Sequence, residues 1–156
     1  MSSCGHWYFA YGSNMNPARM AERGVDFVAA TGGFLANCRM QFDKRGKDPR
    51  EGHANLVFAA GEKAEGVLYE LRDEHQIAKL DPFERTPINY SRELQVIAAA
   101  SGRSTVAWTY FANPGARAPG LRPSQAYLNH LLAGREHLSS GYWSRLAETP
   151  VLEATP

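Results

Sequence analysis

The sequence predicts an α+β domain built on a mixed, closed sheet, and three observations lead to that fold class. Strand-like segments dominate, in the order strand, helix, several strands, helix, strand hairpin and two helices. That order contains too few strand–helix–strand crossovers for a doubly wound sheet. The 156 residues show no internal repeat and no linker, so residues 1–156 are expected to form one domain with a substantial core.

The first strand and the first helix are marked by their end signals. Residues 6–11 are rich in aromatic side chains and predict a strand. Residues 16–24 predict a short helix, because Asn16 suits the N-cap, Pro17 the first helical position and Gly24 the C-terminal stop.

The central part of the chain is predicted to be mainly strand. Residues 27–42 have a strand pattern that the glycine pair at 32–33 interrupts, which indicates a bulge or a bend. The charged, breaker-rich segment 43–52 predicts a surface loop and is the best candidate for disorder. Residues 53–60 and 64–71 are interpreted as two strands joined by a turn at the sequence GEK.

The remaining segments predict helices and one further hairpin. The segment RDEHQIAKLDPFE begins as a helix, with Asp73 as N-cap and Gln76 at capping-box spacing, and Pro82 ends or kinks it. The other predicted elements are a hairpin of residues 89–100 and 104–112, a helix near 123–136 and a helix near 140–146.

Composition argues against nucleic acid and membrane partners. The net charge of +1 leaves no basic face for nucleic acid or anionic lipid. The longest apolar runs, such as residues 96–100, are far too short to span a bilayer, and the N-terminus has no signal-peptide pattern. Cys4 and Cys38 show no paired spacing, so we expect two free thiols and a cytoplasmic location.

The segment YFAYGSNM, residues 8–15, ends a hydrophobic strand abruptly in small polar residues before a predicted helix. Successive backbone N–H groups at Gly12, Ser13 and Asn14 would form a concavity suited to an anion. A well-capped strand-to-helix turn explains the same residues, and on local chemistry alone it is the stronger interpretation. The pattern GxxxxGK[ST] is absent, so the segment is not a phosphate loop.

The segment LDPFE, residues 80–84, places Asp81 and Glu84 three positions apart among apolar neighbours. Desolvation there would raise the pKa of a carboxyl group and suit it to general acid–base catalysis. The alternative is structural: Asp81 caps a helical turn and Glu84 is a solvated first-turn residue. The five histidines have no metal-ligand spacing and no GxSxG motif is present, so we expect no metal and no other cofactor.

Taken together, these motifs resemble the gamma-glutamylcyclotransferase family. YFAYGSNM is followed in order by GVLYEL, LDPFE, PSQAYLNHLLAG and YWSRL, so the resemblance runs from residue 8 to about residue 146. YGSN with a downstream LDxxE is specific in combination, although neither half is specific alone. The resemblance implies a small mixed barrel flanked by helices, with a ligand cavity at one end.

The resemblance also implies a reaction and a set of site residues. The α-amino group of a gamma-glutamyl amine or amino acid attacks the side-chain carbonyl, which yields 5-oxoproline and a free amine. Glu84 corresponds to the family's acidic residue, acting as base and then as acid, and Tyr127 corresponds to a pocket tyrosine. The family's loop holds the gamma-glutamyl group largely through backbone amides, which implies contacts from Tyr8, Phe9, Ala10, Tyr11, Gly12, Ser13 and Asn14.

Several alternatives stay open. The chain could be specific for gamma-glutamylamines or for glutathione, or it could be a non-catalytic protein that binds a small ligand in the same cavity. Glutathione ranks lower, because those relatives usually carry a YGSL-type loop. Many relatives have glycine soon after the acidic residue, whereas this chain has Arg85, Thr86 and Pro87, which could alter substrate preference. The expected partner is a small gamma-glutamyl compound, and the oligomeric state is left open, with a homodimer among the options.

Overall fold

Five strands close into a barrel in the computed structural model, which describes residues 5–153. The strands are β1 (His6–Ala10), β2 (Phe27–Arg45), β3 (Gly52–Leu71), β4 (Tyr90–Ala99) and β5 (Ser104–Ala112). Their order around the barrel is β1, β3, β2, β4, β5. β1 runs parallel to β5, where Tyr8 pairs with Trp108, and the other neighbouring pairs are antiparallel. The predicted mixed, closed sheet is confirmed. Cys4, one of the two predicted free thiols, lies outside the described residues.

Short α-helices flank the barrel: α1 (Pro17–Glu22), α2 (Asp81–Glu84), α3 (Gln125–Leu132) and α4 (Ser140–Ala147). α1 begins as predicted, because the Asn16 side chain accepts a hydrogen bond from Ala18 N at 3.1 Å and Pro17 occupies the first position. Within residues 5–153, no helix has the length and apolar character needed to cross a membrane.

The last two helices differ in how well their bounds were predicted. α3 begins after Ser124, whose side chain caps Tyr127 N at 3.1 Å, but it ends four residues before the predicted limit. Gly134 follows, and residues Arg135–His137 form a separate 3₁₀ turn. Glycine weakens a helix, which explains the early end. α4 agrees with its prediction, and Ser139 caps it.

β2 and β3 form one long hairpin, so the predicted GEK turn is wrong. β3 continues through Gly61, and the segments on both sides of this glycine pair with β2. Gly61 has a φ of +81° and Asn37 across the ladder has a φ of 58°. The Asn37 side chain accepts a hydrogen bond from Gly61 N at 2.9 Å. The turn-forming residues therefore make a bulge within the strand, because both flanking segments have partners on β2.

The two other predictions for this region also need correction. Gly32 and Gly33 stay in register with β3, and the register shifts of β2 lie elsewhere, between 27 and 29, 36 and 38, and 41 and 44. Gly32 instead permits a close approach, because a Cβ there would lie 2.4 Å from the His137 carbonyl oxygen. The predicted loop 43–52 is shortened to 46–51, since β2 extends to Arg45.

The segment before α2 is not the predicted helix. Asp73 does accept a hydrogen bond from His75 N at 2.9 Å, but the chain forms only turns and a 3₁₀ segment over Ile77–Lys79. The Gln76 side chain instead accepts a hydrogen bond from Asp26 N at 2.9 Å, so a tertiary contact replaces the expected capping box. α2 then starts at Asp81 with Pro82 in its first turn, a position that suits proline.

The core consists of two clusters that lie on opposite faces of the sheet. Tyr8 and Ala10 pack with Met15, Leu80, Leu131 and other buried residues beneath the helices. Phe9 packs into a second cluster of strand residues. Because β1 has buried side chains on both faces, its position is firmly fixed, and the loop that follows it starts from a rigid point.

Candidate active site

A narrow cavity of about 30 Å³ lies beyond the end of β1, beside α2 and α3. It is lined by Tyr8, Tyr11, Gly12, Ser13, Asn14, Ala54, Glu84, Tyr90, Tyr110 and Tyr127. Wider grooves of about 550, 560 and 580 Å³ lie elsewhere on the surface, and neither Glu84 nor the 12–14 loop lines them. The narrow cavity therefore brings Glu84 together with the 12–14 loop and Tyr127, whereas Asp81 does not line it.

Two of the residues expected in the site lie outside the cavity. Phe9 and Ala10 are fully buried strand residues whose partners in β3 are Leu68 and Val67. The Phe9 carbonyl also accepts a hydrogen bond from the Thr109 hydroxyl at 3.0 Å. Their backbones belong to the barrel wall, and their side chains belong to the core.

The 12–14 loop has backbone N–H groups that donate no hydrogen bond within the described residues. Ser13 to Met15 form a 3₁₀ turn, and among the described residues no group accepts from the N–H of Gly12, Ser13 or Asn14. The Tyr69 hydroxyl holds the loop by donating to the Asn14 carbonyl at 2.6 Å. A Cβ at Gly12 would lie 3.0 Å from the Ala54 Cβ and 3.4 Å from the Tyr127 hydroxyl. Glycine thus keeps this side of the cavity open.

Glu84 ends α2 and is joined to the loop through one of its two oxygens. Oε1 accepts hydrogen bonds from Asn14 Nδ2 and from Arg23 Nη1, each at 3.3 Å. Arg23 Nη1 also donates to Asn14 Oδ1 at 2.9 Å, so the three side chains form a closed set. No residue in the described part of the chain donates a hydrogen bond to Oε2. The carboxylate is therefore oriented by one oxygen and keeps the other available.

The electrostatics of Glu84 combine burial with nearby positive charge. Its side chain is only 16% exposed, and burial raises the pKa of the carboxyl group above its ordinary value. The charges of Arg23, Lys44 and Arg19 and the Asn14 hydrogen bond act in the opposite direction without cancelling that rise. A carboxyl group with a raised pKa is a stronger base than an exposed one.

The tyrosine hydroxyls around the cavity fall into two groups. Tyr11, Tyr90 and Tyr110 use their protons inside the protein, donating to the Tyr110 carbonyl, the Ala54 carbonyl and Asp81 Oδ1 at 2.5, 2.7 and 2.7 Å. Tyr8 and Tyr127 are instead acceptors, from Asn14 Nδ2 at 3.0 Å and from Ala54 N at 2.9 Å. Within residues 5–153, no acceptor is paired with either of their protons.

These two tyrosines are also protonated at neutral pH. Burial raises the pKa of Tyr127 to about 12 and raises the pKa of Tyr8 still further. Each hydroxyl therefore keeps a proton that it can donate to a group in the cavity.

Asp81, the other candidate carboxylate, has a structural role. It accepts two hydrogen bonds from Arg92, at 3.0 and 3.1 Å, and one from the Tyr110 hydroxyl. The paired geometry fixes α2 against β4 and β5 and leaves Glu84 as the carboxylate of the cavity. Arg85, which the sequence placed beside the pocket, is exposed and does not line it.

The family-model comparison assigns the chain. The model of the family described as gamma-glutamyl cyclotransferase, AIG2-like, matches residues 8–145. The chain belongs to this family. The match begins at Tyr8 and includes the 12–14 loop, Glu84 and Tyr127. No curated protein sequence matches the chain.

Solved structures share the fold of this cyclotransferase-family chain. A protein titled gamma-glutamyl cyclotransferase is 19% identical, with a TM-score of 0.82 over 97% of this chain and 92% of the other. An uncharacterized protein from Homo sapiens is 20% identical, with a TM-score of 0.84 over 99% and 93%. A yeast gamma-glutamyl cyclotransferase titled as specific to glutathione is 13% identical, with a TM-score of 0.62 over 94% and 95%. At these identities the likeness shows the fold alone.

The cavity includes residues that sequence reasoning missed. Tyr90, Tyr110 and Ala54 come from three separate positions of the barrel and meet only through strand pairing. Arg23 had a usable signal, because Arg19 and Arg23 lie four apart and so share a face of the helix that follows the loop. No group of metal-binding side chains with three or more members was found among residues 5–153.

Proposed function

We propose that the chain is a gamma-glutamyl cyclotransferase that converts a gamma-glutamyl amine or gamma-glutamyl amino acid to 5-oxoproline and the free amine. The observation that supports this most directly is the Glu84 carboxylate, oriented through Oε1, with Oε2 available beside a cavity lined by spare hydrogen-bond donors. The assignment of Glu84 as base and then acid is part of the proposal.

The reaction moves two protons and exchanges one carbon–nitrogen bond for another. The substrate's α-ammonium gives a proton to Glu84, and the neutral amine attacks the γ-carbonyl carbon to form a tetrahedral oxyanion. The oxyanion then collapses, the bond to the leaving nitrogen breaks, and Glu84 returns the proton to that nitrogen. A second proton moves from the former α-amino nitrogen through Glu84 to the leaving nitrogen. The lactam nitrogen therefore keeps one hydrogen, and the amine leaves as an ammonium ion.

Glu84 suits this relay because one carboxylate can serve both nitrogens if it lies between them. Its hydrogen bonds from Asn14 and Arg23 hold it in place, and its raised pKa makes it a better base near neutral pH. Because the nucleophile is part of the substrate, the remaining task is to hold a folded conformer in which the two reacting atoms are close.

The oxyanion and the α-carboxylate both need fixed donors, and the cavity offers two sets. The Tyr8 and Tyr127 hydroxyl protons form one set, and the N–H groups of Gly12, Ser13 and Asn14 form the other. In the proposed function one set of donors binds the oxyanion and the other binds the α-carboxylate. A single oxyanion donor contributes about 2.7–4 kcal/mol to lowering the barrier.

The size of the cavity adds a requirement. A volume of about 30 Å³ holds only a few water molecules. A gamma-glutamyl group is larger, so the proposed reaction requires side chains at the mouth to move apart when the substrate enters.

The deciding experiment measures 5-oxoproline release from a panel of gamma-glutamyl compounds with the wild-type protein and with Glu84→Gln. Glutamine keeps the shape and cannot take the proton, so we expect turnover to fall by at least about 100-fold. Ligand binding, followed by thermal shift, should persist in this variant.

Glu74→Gln is the matched control, because it removes an exposed carboxylate that does not line the cavity and should keep wild-type turnover. Release of 5-oxoproline by Glu84→Gln at a near wild-type rate would remove Glu84 from its proposed role. A wild-type protein that binds these compounds without turnover would instead be the non-catalytic binding protein.

A further inference from the structure

The imidazole ring of His53 is stacked on the ring of Tyr127. The ring centres are 4.3 Å apart, and the two planes differ by only 9°. His53 is the second residue of β3 and does not line the narrow cavity, whereas Tyr127 comes from α3 and does line it. Burial lowers the pKa of His53 below its ordinary value, so the ring is mostly neutral at neutral pH. The contact is therefore packing between two flat rings.

The hydroxyl of Tyr127 is held by the residue next to His53. Ala54 N donates a hydrogen bond to it at 2.9 Å. This N–H is available because a register shift of β2 between Gln41 and Lys44 leaves Ala54 without a partner on that strand. A bulge of this kind disrupts the ladder locally and re-aims the groups beside it. The start of β3 thus contacts Tyr127 with a ring and with a backbone N–H.

Glu51 joins the imidazole to the start of α3. Its Oε1 accepts a hydrogen bond from the Ser124 hydroxyl at 2.8 Å and lies 3.4 Å from His53 Nε2. Ser124 is the N-cap of α3, and its oxygen accepts a hydrogen bond from Tyr127 N at 3.1 Å. The segment 51–54 therefore holds the ring and the hydroxyl of Tyr127 directly, and its backbone through Ser124.

We propose that His53 is a positioning residue for the reaction, because its ring fixes the Tyr127 side chain with the hydroxyl directed at the substrate. This inference rests on the proposed function and adds to it a residue that does not touch the substrate. Without the stacked ring, the cap from Ser124 would hold only the backbone of Tyr127, and one hydrogen bond from Ala54 would hold its hydroxyl. A displaced donor stabilises negative charge less well, since this stabilisation depends on preorganised geometry.

Three substitutions at His53 separate its ring from its polar contact. The measurement is 5-oxoproline release from gamma-glutamyl-alanine or gamma-glutamyl-ethylamide, whichever the wild type turns over faster. His53→Phe keeps a flat ring and should keep most of the wild-type kcat/KM. His53→Gln keeps a polar group near Glu51 without a ring, and His53→Ala has neither. We expect both to lose about 10- to 100-fold, because a misplacement on the order of 1 Å can cost about 100-fold.

A double-mutant cycle tests whether His53 acts through the Tyr127 hydroxyl. Tyr127→Phe removes that hydroxyl and should lower kcat/KM by at least about 10-fold, since a hydrogen bond to a charged group is lost. In the Tyr127→Phe background, His53→Ala should cause little further loss, because no hydroxyl remains to be positioned. If His53→Ala does not fold, His53→Gln takes its place in the cycle. His75→Ala removes a histidine whose side chain is 82% exposed, and it should keep wild-type activity.

The results that overturn the inference differ from those that overturn the proposed function. Wild-type activity in His53→Gln, equal losses in His53→Phe and His53→Ala, or a full additional loss in the Tyr127→Phe background would each remove His53 from the positioning role. The wild type would still release 5-oxoproline in all three cases. Failure of the wild type to release 5-oxoproline from any compound of the panel would overturn the proposed function itself.

Discussion

A single nitrogen of Arg23 organises the proposed catalytic carboxylate. Nη1 contacts both Glu84 Oε1 and Asn14 Oδ1, and the guanidinium stacks over Phe83 with its carbon 4.8 Å from the ring centre. The Arg23 side chain is 12% exposed, so solvent screens this pair weakly. Its charge is the strongest influence that opposes the burial effect on the pKa of Glu84.

Arg23→Met should therefore shift the pH dependence of activity. Without the cation the pKa of Glu84 rises further, so the base becomes protonated at a higher pH. The acidic limb of the kcat/KM profile, which reports the free enzyme, should move to higher pH. A merely structural loss would lower the whole profile without moving that limb. Arg103→Met, at an exposed hairpin position, should leave the limb in place.

Local motifs predicted only part of the site at the residue scale. Gly12, Ser13 and Asn14 are recognisable because strand, loop and helix are contiguous, and Glu84 because its apolar neighbours adjoin it in sequence. The role of His53 was not predicted. Its ring meets a side chain of α3 only through tertiary packing, which no local pattern records.

At the scale of elements, a residue in the left-handed conformation ends α2. Arg85 follows Glu84 with φ 50° and ψ 46°, the left-handed region that glycine adopts without strain. The backbone N–H of Arg85 donates to the Asp81 and Pro82 carbonyls, which closes the helix. The backbone of Arg85 thus terminates the helix, while its side chain stays exposed.

Arg85→Gly should stabilise the protein. It removes the cost of a left-handed non-glycine residue, which stabilises the folded protein by about 1–2 kcal/mol. Glycine also raises the entropy of the unfolded chain, which destabilises the folded protein by about 0.4–1 kcal/mol. We expect a net gain of about 1 kcal/mol in the free energy of unfolding, measured by urea titration. Arg85→Ala is the control for loss of the side chain, because it removes the side chain and keeps the backbone strain. Equal stability of the glycine and alanine variants would contradict the backbone explanation.

Elements with local end signals were predictable, and those decided by distant partners were not. α1 follows from Asn16 and Pro17, and the β4–β5 hairpin from its turn and two apolar strands. The GEK segment has turn chemistry, yet β3 passes through it, because β2 pairs with the chain on both sides of Gly61. Gln76 likewise binds Asp26 N instead of completing a cap.

At the scale of the whole molecule, the barrel stability and the proposed activity place opposite demands on Glu84. Activity requires the ionised carboxylate, whereas its surroundings raise its pKa and so favour the neutral acid. A carboxyl group with a folded-state pKa above its unfolded-state value contributes most to stability at low pH. That contribution is lost as the pH rises through the folded-state pKa.

The difference in thermal stability between Glu84→Gln and the wild type should therefore grow with pH. At a pH well below the ordinary carboxyl pKa of 4.5, the wild-type side chain is neutral like glutamine, and the two proteins should unfold at similar temperatures. Towards pH 8 the wild type must keep a buried charge, so Glu84→Gln should unfold at the higher temperature. Glu74→Gln, at an exposed position, should show no such trend. A stability difference that stays constant with pH would mean that the pKa of Glu84 does not change on folding, and one that shrinks as the pH rises would mean that Arg23, Lys44 and Arg19 outweigh burial and lower it.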